Sequence, residues 1–236
     1  MATSATLAMA DKARELRASG NSIIGLSLGE PDITIPDFVK HAAIDAINQD
    51  YHYYTPVDGY VELKAAIIEK FKRDNTLTYT PSQIVVSTGA KQTLYNLAQV
   101  LLNDGDEVLL PAPYWVSYND IAKVAGGVPI EIKTSIENDF KVTPQALEAA
   151  ITPKTKAIVP VHLFGMCANM EAIMQISSEH DLFVIEDNAQ AIGATDTYKN
   201  GTKVKAGVIG HAASTSFFPS KNLGCYGDGG LSCIHI

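Results

Sequence analysis

The chain alternates between helix-like and strand-like hydrophobic patterns along most of its length. Apolar residues recur at helical spacing in 5–19, 36–49 and 60–75, which predicts three amphipathic helices. The first is expected to end at Gly20, and the third to carry Leu63, Ile67 and Phe71 on one face. Beyond residue 83, short apolar runs of strand character alternate with further helical patterns. The predicted strands are 23–29, 83–87, 106–110, 128–132, 156–161, 182–186 and 211–217, and the later helices are 90–102, 115–125, 143–150 and 169–180.

This alternation predicts an α/β fold with three layers, α/β/α, around a mainly parallel sheet. The run 157–161 is apolar throughout, as is typical of a strand that is buried on both faces of a parallel sheet. In such sheets, ligands bind at the carboxyl ends of the strands. Thr88, Asp187 and Lys221 all follow predicted strands and are therefore expected at that edge.

Composition and charge narrow the class of protein. The 236 residues are 46% hydrophobic, enough for one sizeable core, and the net charge of −8 argues against nucleic acid or an anionic membrane as a partner. No apolar run approaches the roughly 18–20 residues of a membrane span. Three cysteines without CxxC spacing predict neither a disulfide framework nor a zinc site. Without a signal peptide pattern, we expect a cytoplasmic protein.

A small-residue turn links the predicted strand 83–87 to helix 90–102. Gly89 lets the backbone approach an anion closely, and the first amides of the helix point toward it with the positive end of the helix dipole. Thr88 or Ser87 can add a hydroxyl donor. An ordinary strand-to-helix cap explains the same turn, so both interpretations stay open at this point.

An acid and an amine complete a set of parts. Asp187 follows the apolar run 182–185 and Glu186, and a buried carboxylate there needs a cation opposite it, such as a protonated pyridine nitrogen. A helix cap or a metal ligand is the alternative, although no histidine cluster favours a metal. Lys221 lies between a Ser/Thr-rich strand end and a Gly-rich loop, which suits an amine kept for covalent chemistry better than a surface lysine. Binding of pyridoxal phosphate (PLP) requires these three features together: an anion-binding turn, a buried acid and a lysine.

Four more side chains are candidates for the same site. Gln190 can reach the side of Asp187 and donate to the phenolic oxygen of PLP, and Ser216 can donate to the phosphate. Trp115 can stack on the pyridine ring or pack in the core. His162 lies near the cofactor or is a satisfied core histidine. No GxGxxG turn follows a predicted strand, which argues against a nucleotide-binding oxidoreductase.

Several segments carry a resemblance to known families. The segments 27–32 (SLGEPD), 54–59 (YTPVDG), 86–91 (VSTGAK) and 111–118 (PAPYWVSY) make residues 1 to about 150 similar to class I aminotransferases of the aspartate aminotransferase kind. From about residue 156, the segments 160–165 (PVHLFG), 185–191 (IEDNAQA) and 215–224 (TSFFPSKNLG) resemble the DegT/DnrJ/EryC1/StrS group of sugar aminotransferases. The chain therefore resembles a chimera of two fold type I PLP enzymes, with a changeover near 151–156.

The resemblance implies a role for each candidate residue. Lys221 matches the Schiff-base lysine, Asp187 the partner of the pyridine nitrogen, Gln190 the neighbour of the ring hydroxyl, Ser216 a phosphate ligand, Gly89, Ala90 and Lys91 the phosphate turn, Trp115 the stacking position, and Tyr54 a tyrosine lent to the phosphate of a neighbouring subunit. The last match implies a homodimer with shared sites. The resemblance as a whole also implies an N-terminal arm and helical segment over 1–50 and a PLP-binding large domain over 51–236.

The function implied is that of a PLP-dependent aminotransferase. It would move an amino group between an amino acid donor and a keto acid or keto sugar through a lysine aldimine. The alternative is a chimeric or non-catalytic PLP-binding domain without turnover, because the C-terminal domain that supplies the arginine clamp on the substrate carboxylate is expected to be absent. The chain has three arginines, Arg14, Arg17 and Arg73, all before residue 74.

Overall fold

The computed structural model describes residues 5–26 and 31–234, which form seven α-helices and nine strands. The helices are α1 (Ala5–Ala18), α2 (Asp37–Asn48), α3 (Val61–Asn75), α4 (Ala90–Leu101), α5 (Ser117–Val124), α6 (Pro144–Ala150) and α7 (Met170–His180). The strands are β1 (Ile84–Ser87), β2 (Glu107–Ala112), β3 (Val128–Lys133), β4 (Ala157–Ile158), β5 (Phe183–Asp187), β6 (Thr195–Thr197), β7 (Lys203–Lys205), β8 (Ala212–Ser216) and β9 (Gly230–Ile234).

Five strands form the central sheet in the order β1-β9-β8-β5-β4. Strands β4, β5 and β8 are parallel, whereas β9 runs antiparallel to both of its neighbours, so that β1 points the same way as β8. The parallel pair β2-β3 adjoins the β4 side through a bridge between Glu107 and Thr155. The mainly parallel α/β sheet is therefore confirmed, with β9 as its antiparallel member.

The predicted helices agree with the structure to within about two residues, and Gly20 (φ +82°) follows the end of α1 at Ala18. One strand is much shorter than predicted: β4 covers two residues of 156–161. Pro160 has no amide hydrogen and interrupts the ladder, which resumes only as a bridge between Val161 and Asp187. The strand predicted over 23–29 is wrong for 23–26, which have no regular structure, and 27–29 lie outside the described residues.

One face of the sheet carries the apolar core. Ile84 and Val86 of β1 pair with Cys233 and Leu231 of β9, and because paired residues point to the same side, all four face α3. From α3, Ile67 and Phe71 pack against them, and the Phe71 ring meets the edge of Tyr79 at 5.3 Å. The prediction that Leu63 shares this face is wrong.

Leu63 is 42% exposed, and Lys64 is buried in its place. The ammonium group of Lys64 bonds to the carboxylate of Asp58, which offsets the cost of burying its charge. The apolar stripe predicted on α2 is not used in the described structure either, because α2 has no buried residue and Phe38 and Ile47 are each 75% exposed.

The opposite face of the sheet is covered by α4. Ser87 of β1 shares a 2.6 Å hydrogen bond with Thr93 of α4, and the Ser214 hydroxyl of β8 donates to the Ala90 carbonyl. Helices α3 and α4 thus lie on opposite faces of one sheet, and the three-layer arrangement is confirmed.

Candidate cofactor site

The register of the sheet brings the predicted site residues to one edge. Ser87, Gly230 and Ser216 pair in a row across β1, β9 and β8, at the carboxyl ends of β1 and β8. Asp187, the last residue of β5, pairs with Ser214 two positions behind that row. The hydroxyls and the carboxylate therefore point to the same face, the one that α4 covers.

The predicted anion turn has open amides. Gly89 lies at φ +95°, and a Cβ atom added to it would meet nothing within 4 Å. The amides of Gln92 and Thr93 donate to the Gly89 carbonyl, whereas the amides of Ala90 and Lys91, first in α4, have no acceptor among the described residues. Two free donors beside open space suit an anion.

The turn is set directly against β9. A Cβ atom at Gly230 would lie 2.5 Å from the Gly89 carbonyl carbon and 2.6 Å from the Ala90 nitrogen. Any larger residue at position 230 would therefore displace the turn. Strand β9, which the sequence analysis missed, is what holds the start of α4 in place.

Asp187 is a buried acid without a basic partner among the described side chains. It is 4% exposed, and its carboxylate accepts hydrogen bonds from the Tyr118 hydroxyl at 2.5 Å and from the Ala189 amide at 3.0 Å. Both donors are neutral, so the negative charge is hydrogen-bonded but not compensated. A cation placed beside this carboxylate would be strongly favoured.

Tyr118 is a site residue that the sequence analysis did not single out. Burial, followed by the nearby Asp187 charge and the hydrogen bond to it, raises the pKa of the Tyr118 phenol far above its ordinary value, so that it stays a donor. Its ring also packs edge-on against Trp115 at 5.4 Å. The one feature of the sequence that could have indicated Tyr118 is its spacing of three residues from Trp115, which places the two rings side by side in a helical segment.

Trp115 lies just before α5 and is 40% exposed. The Lys91 ammonium lies 5.1 Å from the centroid of its ring, a cation–π contact between the anion turn and the aromatic position. Gln190 is half-buried, and its carbonyl oxygen accepts from the Phe164 amide at 3.2 Å. That bond leaves the amide group of Gln190 available as a donor.

Lys221 is half-buried in the loop that follows β8, where its backbone amide donates to the Phe218 carbonyl at 2.8 Å. Its ammonium group makes no hydrogen bond to another described residue. Ser216, which is 8% exposed, accepts from the Phe218 amide and keeps its own hydroxyl hydrogen free. Tyr54, in contrast, is fully exposed and joins none of these side chains.

His162 is a satisfied core histidine, hydrogen-bonded to Glu186 at 2.8 Å with both side chains fully buried. In the described part of the chain, no three His, Cys, Asp or Glu side chains are grouped to hold a metal ion. Over the same residues, no helix is both long and apolar enough to cross a bilayer.

Comparison with known proteins identifies the family. The sequence profile of the DegT/DnrJ/EryC1/StrS aminotransferase family matches residues 69–234, more than half of the chain. The chain belongs to this aminotransferase family. Family membership and the fold together establish a fold type I architecture, and they imply PLP as the cofactor.

This family member is also similar to aspartate aminotransferases. It is 48% identical over 190 residues to the aspartate aminotransferase of Bacillus sp. (strain YM-2) and 56% identical over 153 residues to the aspartate/prephenate aminotransferase of Cereibacter sphaeroides. These matches cover 78% and 65% of the chain but 48% and 38% of the relatives. The chain thus spans about half the length of the curated relatives that it matches.

Solved structures show the same relation over nearly the whole chain. Aspartate aminotransferase from Thermus thermophilus, solved with maleate, superposes with a TM-score of 0.81 at 35% identity, covering 99% of this chain and 62% of that one. Alanine aminotransferase from Pyrococcus furiosus gives 0.80 at 28% identity, covering 99% and 61%.

The residues present fit PLP. The uncompensated carboxylate of Asp187 suits a protonated pyridine nitrogen, and the free amides of Ala90 and Lys91 above an open Gly89 suit a phosphate. Both features stand on the same face and edge of the sheet.

Proposed function

We propose that this chain is the PLP-binding part of an aminotransferase that moves an amino group between an amino acid donor and a keto acid or keto sugar. The observation that carries the proposal is the buried Asp187 carboxylate, which receives only neutral donors and shares its sheet edge with the open amides of Ala90 and Lys91. Membership of an aminotransferase family supports the same reaction class.

Each residue has a task in this proposal. Asp187 would pair with the ring nitrogen, Gln190 would donate to the ring hydroxyl, and Ser216 with the amides of Ala90 and Lys91 would bind the phosphate. When bound, PLP supplies an electron sink that stabilises negative charge at the substrate Cα. Trp115 would stack on the ring and exclude water from one of its faces.

Lys221 would hold the cofactor through its amine and then move the proton that leaves the substrate Cα. Its position in the loop after β8 is compatible with both tasks, because this loop begins where Ser216 ends the strand. Tyr118 would orient the Asp187 carboxylate, since its raised phenol pKa keeps it a hydrogen-bond donor.

Titration of the chain with PLP tests the binding half of the proposal. We expect a visible absorption band that borohydride fixes as a covalent mass increase on Lys221, and loss of that fixation in Lys221→Ala. Lys205→Ala is a matched control, because Lys205 is a lysine outside the site whose amine donates to the Gly193 carbonyl. Equal labelling of both variants would refute the assignment.

A second candidate function is PLP binding without turnover. The three arginines favour it, because Arg14 is paired with Asp11, Arg73 makes two bonds to Asp74, and Arg17 is exposed on α1. Two of the three are thus already paired with carboxylates of their own helices. Conversion of the bound cofactor by glutamate in a single half-reaction separates the two candidates, because only an aminotransferase converts it.

We further propose a cytoplasmic homodimer built from an N-terminal arm, 1–50, and a PLP-binding domain, 51–236. Full exposure of Tyr54 leaves it free to reach a second subunit, and the exposed stripe of α2 favours a partner surface for the arm. The three free cysteines favour a reducing compartment.

We also propose that the chain is a chimera that changes family near 151–156. The changeover segment is joined to the first half, because the Thr152 hydroxyl donates to Glu107 at 2.6 Å and the Glu107 amide donates to the Lys154 carbonyl. Such a junction between two versions of one fold keeps the sheet continuous and is physically tolerable.

A further inference from the structure

A fully buried carboxylate lies directly behind the proposed site. Glu186 precedes Asp187 on β5, so its side chain points to the opposite face of the sheet. It is 0% exposed and accepts from the amides of Gly207, Ile209 and Gly210 at 2.6–2.7 Å and from Nε2 of His162 at 2.8 Å. Four donors converge on one carboxylate.

The partners of His162 determine which nitrogen carries its proton. Its Nδ1 accepts a hydrogen bond from the Ala168 amide at 3.1 Å, so the hydrogen must be on Nε2, which donates to Glu186. The imidazole thus connects β5 to the far end of the loop 163–168. Its own backbone amide also donates to the Asp187 carbonyl at 3.0 Å.

The loop that His162 holds touches a proposed cofactor ligand. Phe164 lies in the left-handed region at φ +55° and is 81% exposed, an unfavourable conformation for a residue with no packing to compensate it. Its amide nevertheless donates to the carbonyl oxygen of Gln190. The backbone of this loop therefore binds the carbonyl end of the Gln190 side chain and leaves its NH₂ end free of this contact.

We propose that His162 is a positioning residue for Gln190: its Nδ1 accepts from the Ala168 amide and so fixes the loop 163–168, which lets the Phe164 amide donate to the carbonyl of Gln190 and leaves the NH₂ group of Gln190 to donate to the cofactor. This inference rests on the proposed PLP site. His162 does not touch the cofactor in this arrangement and acts only through the loop.

Two substitutions divide the functions of the imidazole. His162→Gln places an amide nitrogen near the position of Nε2, which keeps a donor for Glu186, but it removes the acceptor of the Ala168 amide. His162→Asn places an acceptor near the position of Nδ1 and removes the donor to Glu186, which retains its three backbone donors. We expect only the first to release the loop.

The primary measurement is the dissociation constant of PLP from the full chain. We expect Gln190→Ala and His162→Gln each to raise it on the order of tenfold, the loss of one hydrogen bond. In the double variant the effects should not add, because His162 acts through Gln190. His162→Asn should stay within about twofold of the unmodified chain. In the PLP-free protein, amide hydrogen exchange at Phe164 should accelerate in His162→Gln but not in His162→Asn.

Ser177→Ala controls for general loss of stability near β5. The buried Ser177 hydroxyl donates to the Leu182 carbonyl at 2.6 Å, at the amino end of the strand, and its loss should leave the PLP dissociation constant within about twofold. Fully additive effects of His162→Gln and Gln190→Ala, with PLP binding intact, would overturn the positioning role alone. Absence of PLP binding by the unmodified chain would overturn both this role and the proposed function.

Discussion

At the scale of single residues, the hydrogen bond between Tyr118 and Asp187 can be tested directly by mutation. Tyr118→Phe removes one of the two donors of a buried carboxylate, so we expect the free energy of unfolding without PLP to fall by about 1.5–3 kcal/mol. Urea unfolding measures the change. Because the ring nitrogen of PLP would bring a new partner to Asp187, the loss should be smaller with PLP present.

Tyr114→Phe is the matched control for this substitution. Its hydroxyl makes an exposed contact of 3.5 Å with Glu131, which should contribute no more than about 0.5 kcal/mol. Equal losses for the two tyrosines would mean that the Asp187 carboxylate does not depend on Tyr118.

The buried Glu186 carboxylate should make the stability of the fold depend on pH. Burial opposes its ionisation, but the hydrogen bonds from His162, Gly210, Gly207 and Ile209 outweigh burial and hold the pKa below the ordinary value of 4.5. A lowered pKa in the folded state stabilises the fold above about pH 4.5, and this stabilisation is lost as the pH falls through the folded-state pKa.

Unfolding of the unmodified chain and Glu186→Gln should therefore be compared from pH 7 to pH 3. We expect the difference in unfolding free energy to be constant between pH 7 and about pH 5.5 and to shrink below about pH 4.5. The exposed substitution Glu148→Gln shows what removal of a surface charge does. A difference for Glu186→Gln that persists unchanged to pH 3 would contradict an ionised Glu186.

At the scale of elements, α3 shows how far hydrophobic spacing carries. Leu63 and Phe71 are eight residues apart and differ by about 80° around a helix, whereas Lys64 and Phe71 differ by about 20°. The buried face of α3 contains the second pair. A pattern of apolar residues alone does not predict this face, because Lys64 is charged. The ion pair of Lys64 with Asp58, six residues earlier and outside the helix, is not visible in the apolar pattern.

The two positions on α3 give unequal predictions. Phe71→Ala should lower the unfolding free energy by about 3–5 kcal/mol, because Phe71 is 7% exposed and packs between α3 and β9. Leu63→Ala, at 42% exposure, should cost less than about 1 kcal/mol. Thermal or urea unfolding measures both losses. A larger loss for Leu63→Ala than for Phe71→Ala would mean that Leu63 lies on the buried face, as apolar spacing alone predicts.

At the scale of the whole molecule, the alternation of periods predicts the fold class, and the order of anion turn, acid and lysine predicts the edge of the sheet where the site lies. What sequence could not provide are pairings between distant segments. Strand β9 (GLSCI) has no strongly apolar run of its own, yet it lies between β1 and β8 and supports the Gly89 turn. Tyr118 reaches Asp187 across 69 residues of chain, and local pattern contains no trace of that contact.

Because the site collects residues from β1, β5, β8 and α4, binding of PLP should stabilise the whole sheet. At a PLP concentration about 100 times the dissociation constant, the folded state gains about 2.7 kcal/mol, which for a chain of this length corresponds to a rise in Tm of about 5–10 °C. Asp187→Asn removes the charge that faces the ring nitrogen and should abolish most of the rise, while Asp196→Asn, on the β6–β7 hairpin, should leave it intact. Melting curves with and without PLP measure both. Identical shifts in the two variants would show that PLP binds elsewhere than at the carboxyl end of β5.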